Sequence, residues 1–289
     1  MFDAQVCRSL LFVPAGNARY LASALRGGAD VIQIDLEDAI APDQKGAARL
    51  AAGQDVQQIA AAGRVAAVRV NMDPLLLEQD LDAVVGAEIA ALTIPKVDSA
   101  ATLIGLDEQV AALEVERGLS PGGIRLIAQI ESAAGVLNAR QIAQATPRLV
   151  AMGVGMEDLV TEIGGQVNAD ALYFPTMQVL YAAREAGVIP IGYLGSIAVY
   201  DDPETFRDWI RRAGALGFEG GFCIHPQQVE ILNDELAPTQ EEVAACRALV
   251  AAFEAHASRG QGVFVHQGQM VDKPVLERAR KVLARWGKV

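Results

Sequence analysis

The sequence predicts a parallel (β/α)8 TIM barrel followed by a C-terminal helical extension, and three observations carry that expectation. The chain has 289 residues, 52% hydrophobic and 21% charged, which is enough apolar surface for a large core and too much for a disordered chain. Eight short apolar runs recur along it, and most are apolar on both faces, as buried parallel strands are. Ala- and Leu-rich stretches of helical character separate the runs. That alternation, at a length near the typical ~250 residues, is the pattern of an α/β barrel.

The runs are Ser9–Val13, Val31–Leu36, Ala66–Val70, Ala91–Pro95, Ile124–Ile130, Leu149–Gly153, Val188–Ile191 and Gly221–Ile224. Helix starts are marked between them. Asn17 precedes Ala18–Leu25, Ser99 precedes Ala100–Leu113, and Ser132 precedes a run to about Ala145; each is a residue type that caps helices. An open doubly wound sheet would want a glycine-rich phosphate turn after its first strand, and Val13-Pro14-Ala15-Gly16-Asn17 is not GxGxxG. After the eighth run, Glu241–His256 reads as a helix and Ser258-Arg259-Gly260-Gln261-Gly262 as a flexible break. Lys273–Trp286 reads as a last helix with Pro274 in its first turn. The expected organisation is a barrel over residues 1–235 and an extension over 236–289.

Lys and Arg number 24 against 36 Asp and Glu, a formal charge of −12. With no basic run, that balance speaks against nucleic acid as a partner. No apolar stretch approaches the roughly 18 residues of a membrane helix, so no membrane partner is expected. Cys7, Cys223 and Cys246 are odd in number and widely spaced, which fits a reducing cytoplasmic setting rather than a disulfide framework. The three histidines, His225, His256 and His266, form no HExxH, so any metal would be a hard cation held by oxygens.

A barrel does its chemistry at the C-terminal ends of its strands, and charged residues fall there repeatedly. Asp35, Glu37 and Asp38 close the second run, and Arg69 and Asn71 the third. Lys96 follows the fourth, Glu131 the fifth, Glu157 and Asp158 the sixth, and His225 the eighth. Glu131 ends a run that should be buried, where a lone carboxylate is costly unless paired or metal-bound. Asp158, one strand over, supplies a second carboxylate, and two carboxylates with waters and a chelating substrate suit magnesium. The plainer reading makes Glu131 a helix cap and leaves Asp158 solvated. Arg69 offers a bidentate grip on an anionic substrate, or an ion pair with Glu37 or Asp38 that props the barrel mouth. Asp35 and Glu37 share one side of their strand and are expected to hold Arg69, Lys96 or metal-bound waters. His225 is either a base or a structural histidine before Pro226. Arg8, ahead of the first strand, reads as structural from its position alone.

These motifs come in a familiar order: Arg8-Ser9-Leu10-Leu11-Phe12-Val13-Pro14, Asp35-Leu36-Glu37-Asp38-Ala39, Arg69-Val70-Asn71, Pro95-Lys96-Val97, Gln129-Ile130-Glu131-Ser132, Gly155-Met156-Glu157-Asp158-Leu159 and Ile224-His225-Pro226-Gln227-Gln228. Together they resemble the citrate lyase beta-subunit-like proteins of the HpcH/HpaI aldolase/citrate lyase family. The resemblance implies Mg2+ on Glu131 and Asp158, and Arg69 on the carboxylate of a 2-oxo acid such as oxaloacetate, pyruvate or glyoxylate. It implies Arg8, Lys96, Gly155, Met156 and Glu157 at the substrate, with Glu37 and Asp38 in the catalytic set. It implies carbon–carbon cleavage or formation between the oxo acid and an acyl-CoA thioester such as citryl-, malyl- or citramalyl-CoA, by a homotrimer or a hexamer.

The stretch from Gly262 to Pro274 also resembles the lid of stand-alone malyl- and citramalyl-CoA-type lyases. There the aspartate of the motif reaches a neighbouring subunit's site and handles the proton, a role the resemblance carries to Asp272. Asp272 also fits an N-cap ahead of Pro274. Two positions depart from the family. Gly221 stands where Lys is frequent, so a cation near the mouth or the CoA is expected to be missing. Gly192–Ile197 replaces an acidic and aromatic pattern after the seventh run and leaves the substrate open. The rival readings are a Mg2+-dependent aldolase of 4-hydroxy-2-oxo acids giving pyruvate and an aldehyde, a lyase subunit working on an acyl-carrier-protein thioester, and a non-catalytic protein that binds an oxo acid or CoA.

Overall fold

A computed structural model describes residues 7–258 and 262–286; residues 259–261 of the expected break lie outside them. The chain forms two compact units, the first ending at Leu236 and the second beginning at Ala237.

In the first unit, strands and helices alternate: β1 (Ser9–Pro14), α1 (Ala18–Arg26), β2 (Val31–Asp35), α2 (Lys45–Ala61), β3 (Ala66–Arg69), α3 (Pro74–Val84), β4 (Ala91–Ile94) and α4 (Ala100–Glu116). There follow β5 (Arg125–Ile130), α5 (Ala133–Leu137), α6 (Ala139–Ala143), β6 (Leu149–Val154), α7 (Met156–Glu162), α8 (Ala169–Ala186), β7 (Ile189–Ile191), α9 (Pro203–Leu216), β8 (Gly221–Cys223) and α10 (Pro226–Leu236). The eight strands make one sheet in the order β7-β6-β5-β4-β3-β2-β1-β8, and every paired neighbour is parallel. The two ends of the sheet meet through an Ile191–Gly220 bridge. There the Gly192 N–H donates to the Gly220 carbonyl at 2.8 Å and the Glu219 N–H to Pro190 at 3.0 Å. The sheet therefore closes into a (β/α)8 barrel.

Both faces of the sheet are buried, which is why the runs do not alternate with polar residues. Leu10, Val31, Ala67, Ala91, Ile127, Ala151, Ile189 and Phe222 fill the interior, while Ile32, Ile34, Val68, Leu92, Leu126 and Met152 pack outward under the helices. Above the apolar filling lie the buried polar side chains Gln33, Thr93 and Gln129. This layer marks the change from packing to chemistry as the strands rise toward the mouth.

Two helix starts differ from expectation. Asn17 and Ser132 cap as their types suggest, accepting from the N–H groups of Tyr20 and Gly135. Ser99 makes no such bond, and its hydroxyl lies 3.3 Å from that of Thr102 instead. The run after Ser132 is not one helix. It breaks at Asn138 into α5 and α6, and the Asn138 side chain donates to the Asp98 carbonyl at 2.9 Å.

The second unit contains α11 (Gln240–Ala257), β9 (Phe264–His266), β10 (Gln269–Val271) and α12 (Lys273–Trp286). Thr239 and Glu242 form a reciprocal capping box at the start of α11. The tail motif folds as an antiparallel hairpin, absent from the sequence expectation. Gln267 and Gly268 take φ of 50° and 80°, the left-handed pair that a two-residue hairpin turn requires. Phe264 stacks on His256 with ring centres 4.1 Å apart. Asp272 accepts from the Val275 N–H at 3.1 Å and so caps α12. Among the described residues no helix is long and apolar enough to cross a membrane.

Candidate active site at the barrel mouth

The C-terminal ends of β2 to β6 bring Asp35, Glu37, Asp38, Arg69, Lys96, Glu131 and Asp158 to one end of the barrel. Arg69, the last residue of β3, is buried, and its register partner Asp35 ends β2. Adjacent parallel strands thus place guanidinium and carboxylate side by side. Arg69 Nε donates to Asp35 Oδ1 at 2.8 Å and Nη2 to Oδ2 at 2.7 Å, a bidentate pair. Nη1 lies 3.1 Å from Glu37 Oε2 and 3.6 Å from Asp38. The Phe12 ring lies under the guanidinium, 4.5 Å from its carbon. Of the five N–H groups of a guanidinium, Asp35 takes two and Glu37 faces a third. Of the remaining two, one is on Nη1, which Asp38 also faces, and one on Nη2. Burial pulls the Arg69 pKa down, but the Asp35 hydrogen bonds and surrounding carboxylates outweigh it and raise the group further.

Lys96 Nζ donates to Glu37 Oε1 at 2.6 Å. Lys96 holds φ at 54°, a left-handed conformation worth about 1 to 2 kcal/mol of strain for an L-residue. It is held there by its ion pair and by the next peptide, where the Val97 N–H donates to Gln129 O at 3.0 Å. Burial drives the Glu37 pKa up against the opposing pull of Arg69 and Lys96.

Glu131 follows β5 and is buried, and its Oε2 has no hydrogen-bond partner. Burial first, then the charges of Glu37 and Asp158, push its pKa up to about 8. The backbone leaves Glu131 its space at Gly155, where an added Cβ would come within 2.4 Å of Glu131 Cγ and 2.7 Å of Oε1. Asp158 and Glu157 lie in the exposed first turn of α7, and the Ser196 hydroxyl donates to Glu157. Met156, beside them, is buried in the outer core.

Six carboxyl groups, Glu157 included, against Arg69, Lys96 and Lys45 leave this end of the barrel short of positive charge. A buried, unpartnered carboxylate oxygen and a second carboxylate near enough to raise its pKa are a hard-oxygen donor pair. Among the described residues no group of three or more His, Cys, Asp or Glu could hold a metal. The arrangement fits Mg2+, which keeps several waters and takes one or two carboxylates plus substrate oxygens.

Arg8 and Gly221 lie away from the charged end of the barrel. Arg8 is at the other end of the barrel. Its Nε and Nη2 grip Asp30, just ahead of β2, at 2.9 Å each, and Nη1 reaches Asn233 O at 3.3 Å. These contacts tie β1 to the start of β2 and to α10 at the base of the barrel. Gly221 opens β8 at that same lower end, where an added Cβ would meet Leu232 at 3.0 Å and Tyr193 at 3.1 Å. Its departure from the family pattern therefore removes no cation from the mouth. His225, after β8, stacks on Tyr200 at 5.5 Å, and its Nδ1 accepts from the Gln227 N–H. Lys45 was not singled out from sequence. It donates to Leu36 O at 2.8 Å, Glu37 O at 2.5 Å and Asn71 Oδ1 at 2.8 Å.

The family model described as HpcH/HpaI aldolase/citrate lyase matches residues 8–226. Citrate lyase subunit beta of Escherichia coli strain K12 is 35% identical, over 96% of this chain and 92% of that protein. L-malyl-CoA/beta-methylmalyl-CoA lyase of Cereibacter sphaeroides is 31% identical, over 96% of this chain and 93% of that one. The structure of CitE from Mycobacterium tuberculosis in complex with magnesium, acetoacetate and coenzyme A aligns with a TM-score of 0.76 at 30% identity, covering 99% of this chain and all of that one.

Proposed function

This chain belongs to the HpcH/HpaI aldolase/citrate lyase family, and on that premise we propose that it is a Mg2+-dependent carbon–carbon lyase. Its substrate is a 3-hydroxyacyl-CoA thioester of the citryl, malyl or citramalyl kind, cleaved to an acyl-CoA and a 2-oxo acid or formed from them. The observation that carries the reading is Glu131, a buried carboxylate with an unpartnered oxygen, set near Asp158 and Arg69. The three free thiols fit work in a reducing cytoplasm, and the assembly is a homotrimer or a multiple of it.

Glu131 and Asp158 would hold Mg2+, which supplies Lewis-acid stabilisation of charge on substrate oxygens. Arg69, oriented by Asp35 and the Phe12 ring, takes the carboxylate of the oxo-acid half. Glu37 braces Arg69 and Lys96 from the side. Asp38, more exposed, faces the same two cations and can accept hydrogen bonds from water at the mouth. Lys96 Nζ, half exposed, completes the positive wall beside the substrate, and Glu157 and the Gly155 turn form the opposite rim. Cleavage of the C–C bond leaves an electron pair on the α-carbon of the acyl thioester. The hydroxyl gives up its proton to water at the mouth as its oxygen becomes the carbonyl of the oxo acid. The protonated carboxyl of Asp272 from a neighbouring subunit delivers a proton to the α-carbon; its carboxylate removes that proton in the condensation direction.

The test is release of the oxo acid and of the shortened acyl-CoA, resolved by chromatography, from malyl-, citramalyl-, citryl- and 3-hydroxy-3-methylglutaryl-CoA, with Mg2+ and with EDTA, in wild type and Glu131→Ala. Metal-dependent release that Glu131→Ala abolishes is expected from one of the four. No release from any would overturn the CoA-lyase reading and turn attention to the carrier-protein thioester, the thioester-independent aldolase or a binding role.

A further inference from the structure

Lys45 is the first residue of α2, and a cation there is opposed by the helix dipole, which favours anions at a helix N-terminus. Its position is explained by what its ammonium gathers. Two successive backbone carbonyls, Leu36 O and Glu37 O, converge on Nζ, and Asn71 Oδ1 supplies the third acceptor. The three donors of the ammonium are thereby used. Asn71 is fixed in turn. Its Nδ2 donates to Leu36 O at 3.0 Å and to Asp80 Oδ2 at 2.6 Å, its backbone N–H also donates to Asp80, and Arg49 holds the other Asp80 oxygen at 2.7 Å. Successive carbonyls in a regular strand point to opposite sides. Here they are drawn to one point, which turns the chain after β2.

That turn decides where Glu37 faces. Its carbonyl lies on Lys45, while its carboxylate meets Lys96 and Arg69. Asp35 secures the inner side of the same loop by accepting from the Glu37 and Ala39 N–H groups. From this geometry we propose that Lys45 is a positioning residue for the lyase reaction. It touches no substrate, and it sets the 36–41 loop so that Glu37 and Asp38 face Arg69 and Lys96. The proposal rests on the functional reading above for its kinetic consequence and on geometry alone for its effect on the loop.

Lys45→Met keeps the aliphatic stem and removes the ammonium. Hydrogen exchange across residues 36–41 should rise in this variant while the other barrel strands keep their protection. With the thioester that wild type cleaves, kcat should fall at least about tenfold, toward the about hundredfold loss that a misplacement of 1 Å can bring. KM should stay within about threefold, because no substrate contact is removed. Lys45→Arg, which keeps a cation, should recover part of both the protection and the turnover, and the exchange is read in whichever variant folds. Unchanged exchange across 36–41 overturns the assignment whatever the kinetics show. So does a rise in KM that carries the whole loss, or an arginine variant no better protected than the methionine one. If wild type cleaves no thioester, the functional reading fails by itself, and the exchange result still decides the role of Lys45 in the loop.

Discussion

At the scale of single residues, the mouth of the barrel is governed by one imbalance. Glu131 is buried among carboxylates, and its pKa is pushed up to about 8, by burial first and then by Glu37 and Asp158. In the unfolded chain the same group titrates near 4.3. Without metal, the folded protein therefore holds a proton that the unfolded chain has released across the interval between those values. Stability from this group is fully present below the unfolded value and is lost as pH rises toward 8. The metal-free protein should show a falling thermal midpoint between about pH 5 and 8, and Glu131→Gln should flatten that slope. Mg2+ competes with the proton, so the stabilisation it brings should grow over the same interval. Scanning calorimetry of wild type and Glu131→Gln, each with EDTA or Mg2+, checks this. An equal slope in both proteins would remove Glu131 from the explanation.

At the scale of elements, the two ends of the strands do different work. At the base, Arg148 spans β5, β6 and α4. It donates to both oxygens of the fully buried Glu114, at 2.9 and 2.6 Å, to Ile124 O at 3.0 Å, and to Asp107. Glu114 also accepts from the Gly122 and Ile124 N–H groups. Replacing Arg148 with Met leaves Glu114 buried without its counter-ion, with only the Gly122 and Ile124 N–H groups on it, which destabilises by about 3 kcal/mol. The denaturant midpoint should drop accordingly, while turnover per folded molecule stays near wild type, since the site lies at the far end. Equal loss of turnover and stability would show the ends to be coupled. This division explains what was legible in the sequence. Strands buried on both faces announce themselves as unbroken apolar runs, and the charged residue that ends each run points to the mouth, which is how Arg69, Lys96 and Glu131 could be read. Arg8 could not be placed, because a residue ahead of a strand has no end assigned to it until Asp30 is seen to hold it. Lys45 was hidden because its acceptors are mostly backbone carbonyls, which leave no mark in side-chain pattern. Its one signal was a lysine at a helix start, against the dipole. The hairpin of β9 and β10 was missed because three-residue strands are too short to show a period.

At the scale of the whole molecule, the question is how the second unit takes part. Asp272 caps α12 through the Val275 N–H, so its removal by alanine would confound a lost proton carrier with a frayed helix worth about 1 kcal/mol. Asparagine caps as well as aspartate and carries no titratable carboxyl. Asp272→Asn should therefore keep the thermal midpoint and lose thioester cleavage if the carboxylate moves the proton. The proposal that Asp272 serves a neighbouring subunit makes a sharper demand. An Asp272→Asn chain has an intact Glu131, and a Glu131→Gln chain has an intact Asp272; each alone should be inactive. When the two are unfolded together in equal amounts and refolded into mixed oligomers, a site built from two chains draws its barrel from one and its aspartate from the next. Random assembly then restores about a quarter of the sites, as heterologous contacts in a closed ring allow. A site built within one chain can never regain both residues, so no activity should return. Recovery near a quarter of wild-type turnover would establish that catalysis belongs to the assembly, whereas none, in oligomers shown by mass to be mixed, would return Asp272 to its own barrel or to a capping role alone.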